Sequence, residues 1–269
     1  MTKSLSISKT DAIESASDRE GFKKEFFKDL YELESNNFWF RNRNKLIIWA
    51  LKKFFPRAKN FLEIGCGTGF VLTAINAAIP QLELFGSELF EEGLSFARKR
   101  LPNAKLMQLD ARKLQISETF DVIGAFDVIE HIDEDVRVLE QMYIHCRQGI
   151  ILTVPQHPWL WSHLDDVSCH KRRYSRDELV KKVEAAGFAV KFVTSFVFLL
   201  LPIMLLSRLR KRTPGTFNAT DELKLPIFVN KLLEAILLFE KILIGTSVKL
   251  PVGGSLLLIA CKSVRPGDS

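Results

Sequence analysis

The 269 residues include 47% hydrophobic and 26% charged side chains, which excludes a wholly disordered chain and fits one large α/β domain, or one domain with an added module. A formal charge of +6 favours anionic partners such as phosphates, acidic lipids or nucleic acid, without choosing among them. Four cysteines (Cys66, Cys146, Cys169, Cys261) contain no Cys-x-x-Cys pair, so neither a zinc site nor a disulfide framework is indicated, and a reducing, cytoplasmic setting is expected.

Residues 1–20 are polar, lack the apolar core of a signal peptide and are expected to form a mobile tail. Apolar residues at helical spacing predict helices over 22–34 and 43–55, separated by an aromatic-basic stretch at 37–43. Strands are then predicted at 60–64, 82–87, 105–109, 120–126 and 149–154. Helices are predicted between them at 69–78, 89–101 and 133–146. Ser175 and Glu178 fit a capping box that opens a further helix, ended by Gly187. A sixth strand is expected at 188–194 and a seventh at 254–262. The alternation predicts a Rossmann-like α/β fold: a seven-stranded, mostly parallel sheet with helices on both faces. Residues 21–194 and 253–263 then form the main domain, and residues 195–252 an apolar helical insertion between strands six and seven.

The run Glu63-Ile64-Gly65-Cys66-Gly67-Thr68-Gly69 closes the first strand. Its glycines permit a sharp turn and close approach of a ligand. The dinucleotide pattern Gly-x-Gly-x-x-Gly would need glycine at 70, where Phe70 stands. Glu63, two residues before the first glycine, suits a cofactor bearing an amino group and a sulfonium. Glu88 ends the second strand about 20 residues further on, where an acid accepts hydrogen bonds from ribose hydroxyls, and Asp110 ends the third. All three acids fall at carboxyl ends of strands, where open α/β sheets bind ligands.

On these residues the chain resembles the class I S-adenosylmethionine-dependent methyltransferases, over about Phe38 to Lys262. Phe126-Asp127-Val128-Ile129-Glu130-His131 is similar to the motif after strand four in the branch containing ubiquinone-biosynthesis O-methyltransferases. The resemblance implies S-adenosyl-L-methionine as cofactor. Arg43, with Arg41 second, would meet its carboxylate, and Glu63, Gly65, Cys66, Gly67 and Gly69 would border the methionine part. Glu88 would hold the ribose, Asp110 and Ala111 the adenine, and Phe126 and Asp127 would complete the cofactor site.

Methyl transfer from a sulfonium needs alignment and exclusion of water, and a base only when the acceptor must lose a proton. His131 is the first candidate for that catalytic role, with capping or packing of the next helix as the alternative. Trp159, Trp161 and His157 follow strand five and form either an acceptor wall or loop anchors. Trp39 either lids the site or packs on the sheet. Lys171, Arg172, Arg173 and Arg176 form either a phosphate clamp or a solvated basic face. Asp127, Glu130, His131 and His170 are also similar to the metal set of small-RNA 3′-terminal 2′-O-methyltransferases, with Asp127 where that family has glutamate. Ordinary hydrogen-bonding roles are the expectation, with no metal.

Between strands six and seven, residues 196–206 are eleven apolar residues in a row, followed by the basic run Arg208-Leu209-Arg210-Lys211-Arg212. Residues 227–243 are amphipathic. No apolar stretch reaches the ~18 residues of a spanning helix. The expectation is an in-plane contact with the inner face of a membrane, the alternatives being a lid or a dimer interface. The leading function is O-methylation of a small-molecule or lipid-linked acceptor. Metal-assisted RNA 2′-O-methylation and a non-catalytic, membrane-attached cofactor-binding partner are the alternatives.

Overall fold

The computed structural model describes residues 26–209 and 225–263. The expected tail at 1–20, the first residues of the 22–34 helix and most of the basic run after 206 lie outside the described residues. Seven strands form one sheet in the order β3-β2-β1-β4-β5-β7-β6: β1 Asn60–Ile64, β2 Glu83–Glu88, β3 Lys105–Gln108, β4 Phe120–Phe126, β5 Cys146–Pro155, β6 Phe188–Phe196 and β7 Ser255–Lys262. The first five are parallel to one another, and β7 runs antiparallel between β5 and β6.

β4 (FDVIGAF) is buried along its whole length, as a central strand covered on both faces must be. β1 shows the period of two: Phe61 packs into one apolar cluster, Leu62 and Ile64 into the cluster on the opposite face. That parity puts Glu63 on the same face as Phe61. The helices on the Phe61 face are α1 Phe26–Leu33, α2 Phe38–Phe54, α3 Phe70–Ala78 and α4 Glu91–Arg100. On the other face lie α5 Asp135–His145 and α7 Arg176–Ala185, with Val138, Leu139 and Met142 against Leu179 and Val183. The short α6 His163–Val167 lies in the β5–α7 connection.

The aromatic-basic stretch expected to separate two helices is instead the first two turns of α2. Asn37 caps that helix, accepting a hydrogen bond from Trp39 N–H at 2.9 Å, so helical geometry begins at Phe38. Phe40, Arg43, Asn44, Ile47 and Leu51 then share its buried face, while Arg41 points outward.

Two helices stand between β6 and β7: α8 Leu201–Leu209 and α9 Ile227–Gly245. α9 lies along α2, with Leu237, Glu240 and Ile244 buried. Its start is tied down by Asn230, which accepts from Phe38 N–H at 2.9 Å and donates to the Asn36 carbonyl at 2.7 Å. Further along, Glu234 pairs with Arg41 and Lys45. One side of α9 therefore belongs to the domain's own cover. No helix among the described residues is long and apolar enough to cross a membrane.

Candidate active site

The carboxyl ends of β1, β2, β4 and β5 open into a cavity of about 800 Å³. Its floor is the β1–α3 turn. Gly65, Gly67 and Gly69 all have positive φ (65°, 51° and 75°), which the turn requires and which disfavours any residue with a Cβ. The three differ in what surrounds them. A Cβ on Gly65 would meet Val128 at 2.6 Å, and one on Gly69 would meet Ala97 at 3.0 Å. On Gly67 the nearest atom, from Phe27, is 3.8 Å away. Gly67 thus leaves room on the cavity side, whereas Gly69 starts α3 and presses on α4 without lining the cavity.

Four acids reach this floor. Glu63 is buried, and its Oε2 has no hydrogen-bond partner; burial pushes its carboxyl well above the ordinary range, against the pull of Arg43. Glu88 accepts from Gly67 N–H at 3.0 Å through one oxygen, and from Leu89 and Phe90 N–H at 2.7 and 3.1 Å through the other. Burial still raises it. Asp110 lines the wall but is gripped by Arg112 at 2.8 Å, and that ion pair outweighs burial and holds its carboxyl low. Glu34, at the end of α1, accepts from Thr68 Oγ1 at 2.5 Å and from Arg100 at 2.7 Å, and burial raises it.

Arg43 reaches Asp127 at 2.5 Å and lies 4.8 Å from the Trp39 ring centroid. Asp127 follows β4 in the left-handed region, with φ 57°. Of the two arginines considered, Arg43 lines the cavity and Arg41 pairs with Glu234 on the surface. Cys66, Ala111, Phe126, Trp39 and His131 also line it.

At the far end His131 stands edge-on to His170, with ring centroids 4.7 Å apart. Burial, aided by the neighbouring imidazole, pushes His131 down to about 3, so it is neutral at physiological pH. Glu130 is fully buried, neither of its oxygens has a hydrogen-bond partner, and burial beside Asp127 raises it well above the usual range. Ligand atoms of Glu130, His131 and His170 lie within 4.8 Å of one another. Asp127, the fourth residue of the metal resemblance, is committed to Arg43 and Thr153.

The basic stretch is spent on the protein itself. Arg172 pairs with Asp133 and Asp135, and Lys171 approaches Asp133. Arg173 is buried on Asp165, and Arg176 donates to the Val193 and Leu250 carbonyls. Of the aromatic set after β5, only Trp161 lines the cavity; Trp159 is exposed and stacks on His157, 4.9 Å away. Val197, Leu200 and Met204, from the β6–α8 segment, complete an apolar end.

Sequence reasoning missed two groups. Glu34, Thr68 and Arg100 join α1 to the glycine turn, and Thr68 inside the motif was their one visible member. Asp165 holds Arg173 Nε, Arg173 Nη2 and His170 Nδ1 at 2.7, 3.0 and 2.8 Å. The capping box Ser162–Asp165 was its available signal.

A glycine turn from β1 into α3, acids at successive strand ends and an antiparallel β7 inserted beside β5 define a Rossmann-like methyltransferase domain. Residues 62–152 match the family model described as "Methyltransferase domain". Over this stretch the chain is similar to the class I S-adenosylmethionine-dependent methyltransferases. It is 31% identical over 108 residues to a phosphatidylethanolamine N-methyltransferase of Cereibacter sphaeroides, covering 38% of this chain and 52% of that one. It is also 31% identical over 108 residues to a dTDP-3-amino-3,4,6-trideoxy-alpha-D-glucopyranose N,N-dimethyltransferase of Streptomyces venezuelae, covering 39% and 44%. The matches thus span about half, or less, of these curated relatives. In fold the chain is similar to Haemonchus contortus phosphoethanolamine N-methyltransferase 2 in complex with S-adenosyl-L-methionine, with TM-score 0.61 and 18% identity, over 94% of this chain and 60% of that one.

Proposed function

We propose that this protein transfers a methyl group from S-adenosylmethionine to an oxygen of an apolar, lipid-linked acceptor. The observation that carries the reading is the division of the cavity. One end is built from the glycine turn, Glu63, Glu88 and Arg43, and the other from Val197, Leu200, Met204 and Trp161. The cofactor's fit is supported by Glu63, whose buried oxygen lacks a partner, and by the open space above Gly67. Arg43 would hold the carboxylate, Glu63 the amino and sulfonium end, Glu88 the ribose, and Asp110 with Ala111 the adenine edge. Bound S-adenosylmethionine supplies an electrophilic methyl group on a positively charged sulfur.

The chain's own residues align the acceptor and keep water out. The apolar end desolvates the acceptor and holds its nucleophile towards the cofactor end. His131 and His170 stand beside that end, and an imidazole nitrogen there can accept a hydrogen bond from the acceptor hydroxyl and orient it towards the cofactor. With burial holding His131 down to about 3, its role is to orient the hydroxyl rather than to keep its proton. A curated relative named for phosphatidylethanolamine agrees with a lipid acceptor. The basic stretch at 171–176, the candidate phosphate clamp, is engaged by acids and carbonyls.

A second reading keeps the same reaction and adds a divalent ion. Glu130, His131 and His170 would hold it, and it would acidify the acceptor hydroxyl. A fully buried carboxylate with two unpartnered oxygens beside two imidazoles favours this reading.

The test uses methyl-tritiated S-adenosylmethionine and a membrane-plus-soluble extract, partitioned after reaction into organic and aqueous phases. Organic-phase counts that depend on the protein, with mass spectrometry placing the methyl on oxygen, support the reading. Counts confined to the aqueous phase, or a methyl on nitrogen, overturn it. Addition and chelation of manganese in the same assay decide the second reading.

A further inference from the structure

α8 and α9 carry ten of the fifteen large apolar side chains that stand exposed among the described residues. On α9 they form a stripe. Phe228, Leu232, Phe239 and Ile242 are spaced four, seven and three residues apart, so they share one face. Phe228 is 79% exposed and Phe239 56%. The opposite face of α9, with Leu237, Glu240 and Ile244, already packs on the domain. The bare stripe is therefore more than the fold needs, and soluble domains rarely leave so large a contiguous apolar surface without a partner. α8 also leaves Ile203 and Leu206 exposed, while Met204 of the same helix lines the cavity.

We propose that the α8–α9 face lies in the interface of an anionic lipid surface, with α9 parallel to the membrane plane. Two observations select lipid as the occupant. The first is charge: Glu240 is buried against Leu199 N–H, and Glu234 is matched by both Arg41 and Lys45. Lys231 is exposed at the edge of the stripe. The face is thus apolar with a positive balance, as interfacial helices on acidic headgroups are. The second is continuity: a lipid-borne acceptor leaving the interface meets α8, whose other side walls the apolar end of the cavity. This names where the proposed acceptor would be met, but the docking itself needs no methyl transfer.

The experiment is co-sedimentation of the full chain with phosphatidylcholine vesicles, with and without phosphatidylglycerol. The expected result is binding that requires phosphatidylglycerol. Phe228→Ser with Phe239→Ser should lower the partition coefficient about a hundredfold, and Lys231→Glu about tenfold. Both changes fall on exposed side chains outside the site, and a thermal melt equal to the wild type's keeps loss of fold apart from loss of docking. No binding to either vesicle, or binding unchanged in the double variant, would overturn the proposal. So would a concentration-dependent dimer, seen by light scattering, that the double variant dissolves while vesicles are ignored. Vesicle binding by a protein that labels no lipid would leave the docking in place and remove the lipid-acceptor reading instead.

Discussion

Arg43 and Asp127 form a 2.5 Å ion pair across 84 residues, joining the buried face of α2 to the end of β4. Thr153 Oγ1 donates to the same Asp127 oxygen at 3.0 Å. Breaking a buried pair leaves one charge without compensation, at a cost of about 3 kcal/mol. Arg43→Ala is therefore expected to lose about that much unfolding free energy in urea, and Arg43→Leu with Asp127→Asn markedly less. Cofactor affinity, read by calorimetry, should fall at least tenfold in Arg43→Ala. An Arg43→Ala variant as stable as the wild type would show that the pair contributes nothing to the fold.

The glycines of the turn should separate by the property they affect. Gly67→Ala meets open space and carries only the cost of a positive φ, roughly 1–2 kcal/mol. It should fold and bind S-adenosylmethionine poorly. Gly65→Ala drives a methyl group into Val128, so it should lower the melting temperature well beyond Gly67→Ala. Equal melting temperatures would show that Val128 yields to the added methyl group, and full cofactor binding by Gly67→Val would place the cofactor elsewhere.

Glu130 and His131 give opposite pH dependences in the ion-free protein. His131 binds its proton less readily when folded, at about 3 against 6.5 unfolded, so its contribution to stability rises between those values and is complete above them. The slope from this group is about 1.4 kcal/mol per pH unit, and a His131→Asn variant should lack it. Glu130 has the reverse sign: its folded carboxyl is raised, so its contribution is present at low pH and lost as pH rises above the unfolded value of 4.5. Glu130→Gln should therefore be relatively more stable than the wild type at pH 8 than at pH 4, by chemical denaturation. It should also abolish any rise in melting temperature produced by manganese. A manganese-dependent rise that persists in Glu130→Gln would remove Glu130 from the ion site.

Asp165 serves Arg173, His170 and Ser162 with one carboxylate, and these partners hold it below the usual carboxylate range although burial opposes them. Asp165→Asn leaves the buried Arg173 guanidinium without its counter-charge and should cost about 3–5 kcal/mol. The contribution of Asp165 is present above the unfolded value of 3.8 and lost as pH falls through the folded one. The wild type and Asp165→Asn should accordingly converge in stability in strong acid. A constant gap between them down to the lowest pH measured would contradict this.

The sheet was the most legible part of the chain. β1 and β4 occupy the expected residues because an apolar run bounded by glycines or polar turns signals strand edges at both ends. Helix α2 begins earlier than the sequence predicts, because Asn37, in a stretch that reads as a connector, caps the helix with its side chain. The choice of Arg43 over Arg41 was open to sequence, because helical period alone places Arg43 on the face of Phe40 and Ile47. What sequence could not supply is which charges cancel. Lys171 to Arg173 form a basic patch in the chain and an internal set of ion pairs in the fold, because Asp133, Asp135 and Asp165 approach them from other segments. Likewise Trp159 and Trp161 are two residues apart and both exposed, yet only Trp161 borders the cavity.

The knot of Glu34, Thr68 and Arg100 bears on the tempo of catalysis. Phe27 and Leu30 of α1, with Glu34 just after it, wall the cavity, and Arg100 also donates to the Tyr31 carbonyl, fastening that helix to the glycine turn. Exchange of spent for fresh cofactor then has to loosen a short helix held by buried polar bonds, whereas methyl transfer moves one carbon over a small distance. The enzyme should accordingly complete its first turnover in a rapid burst and then slow to the pace at which α1 lets go, and Thr68→Val should quicken the second phase while leaving the first unchanged.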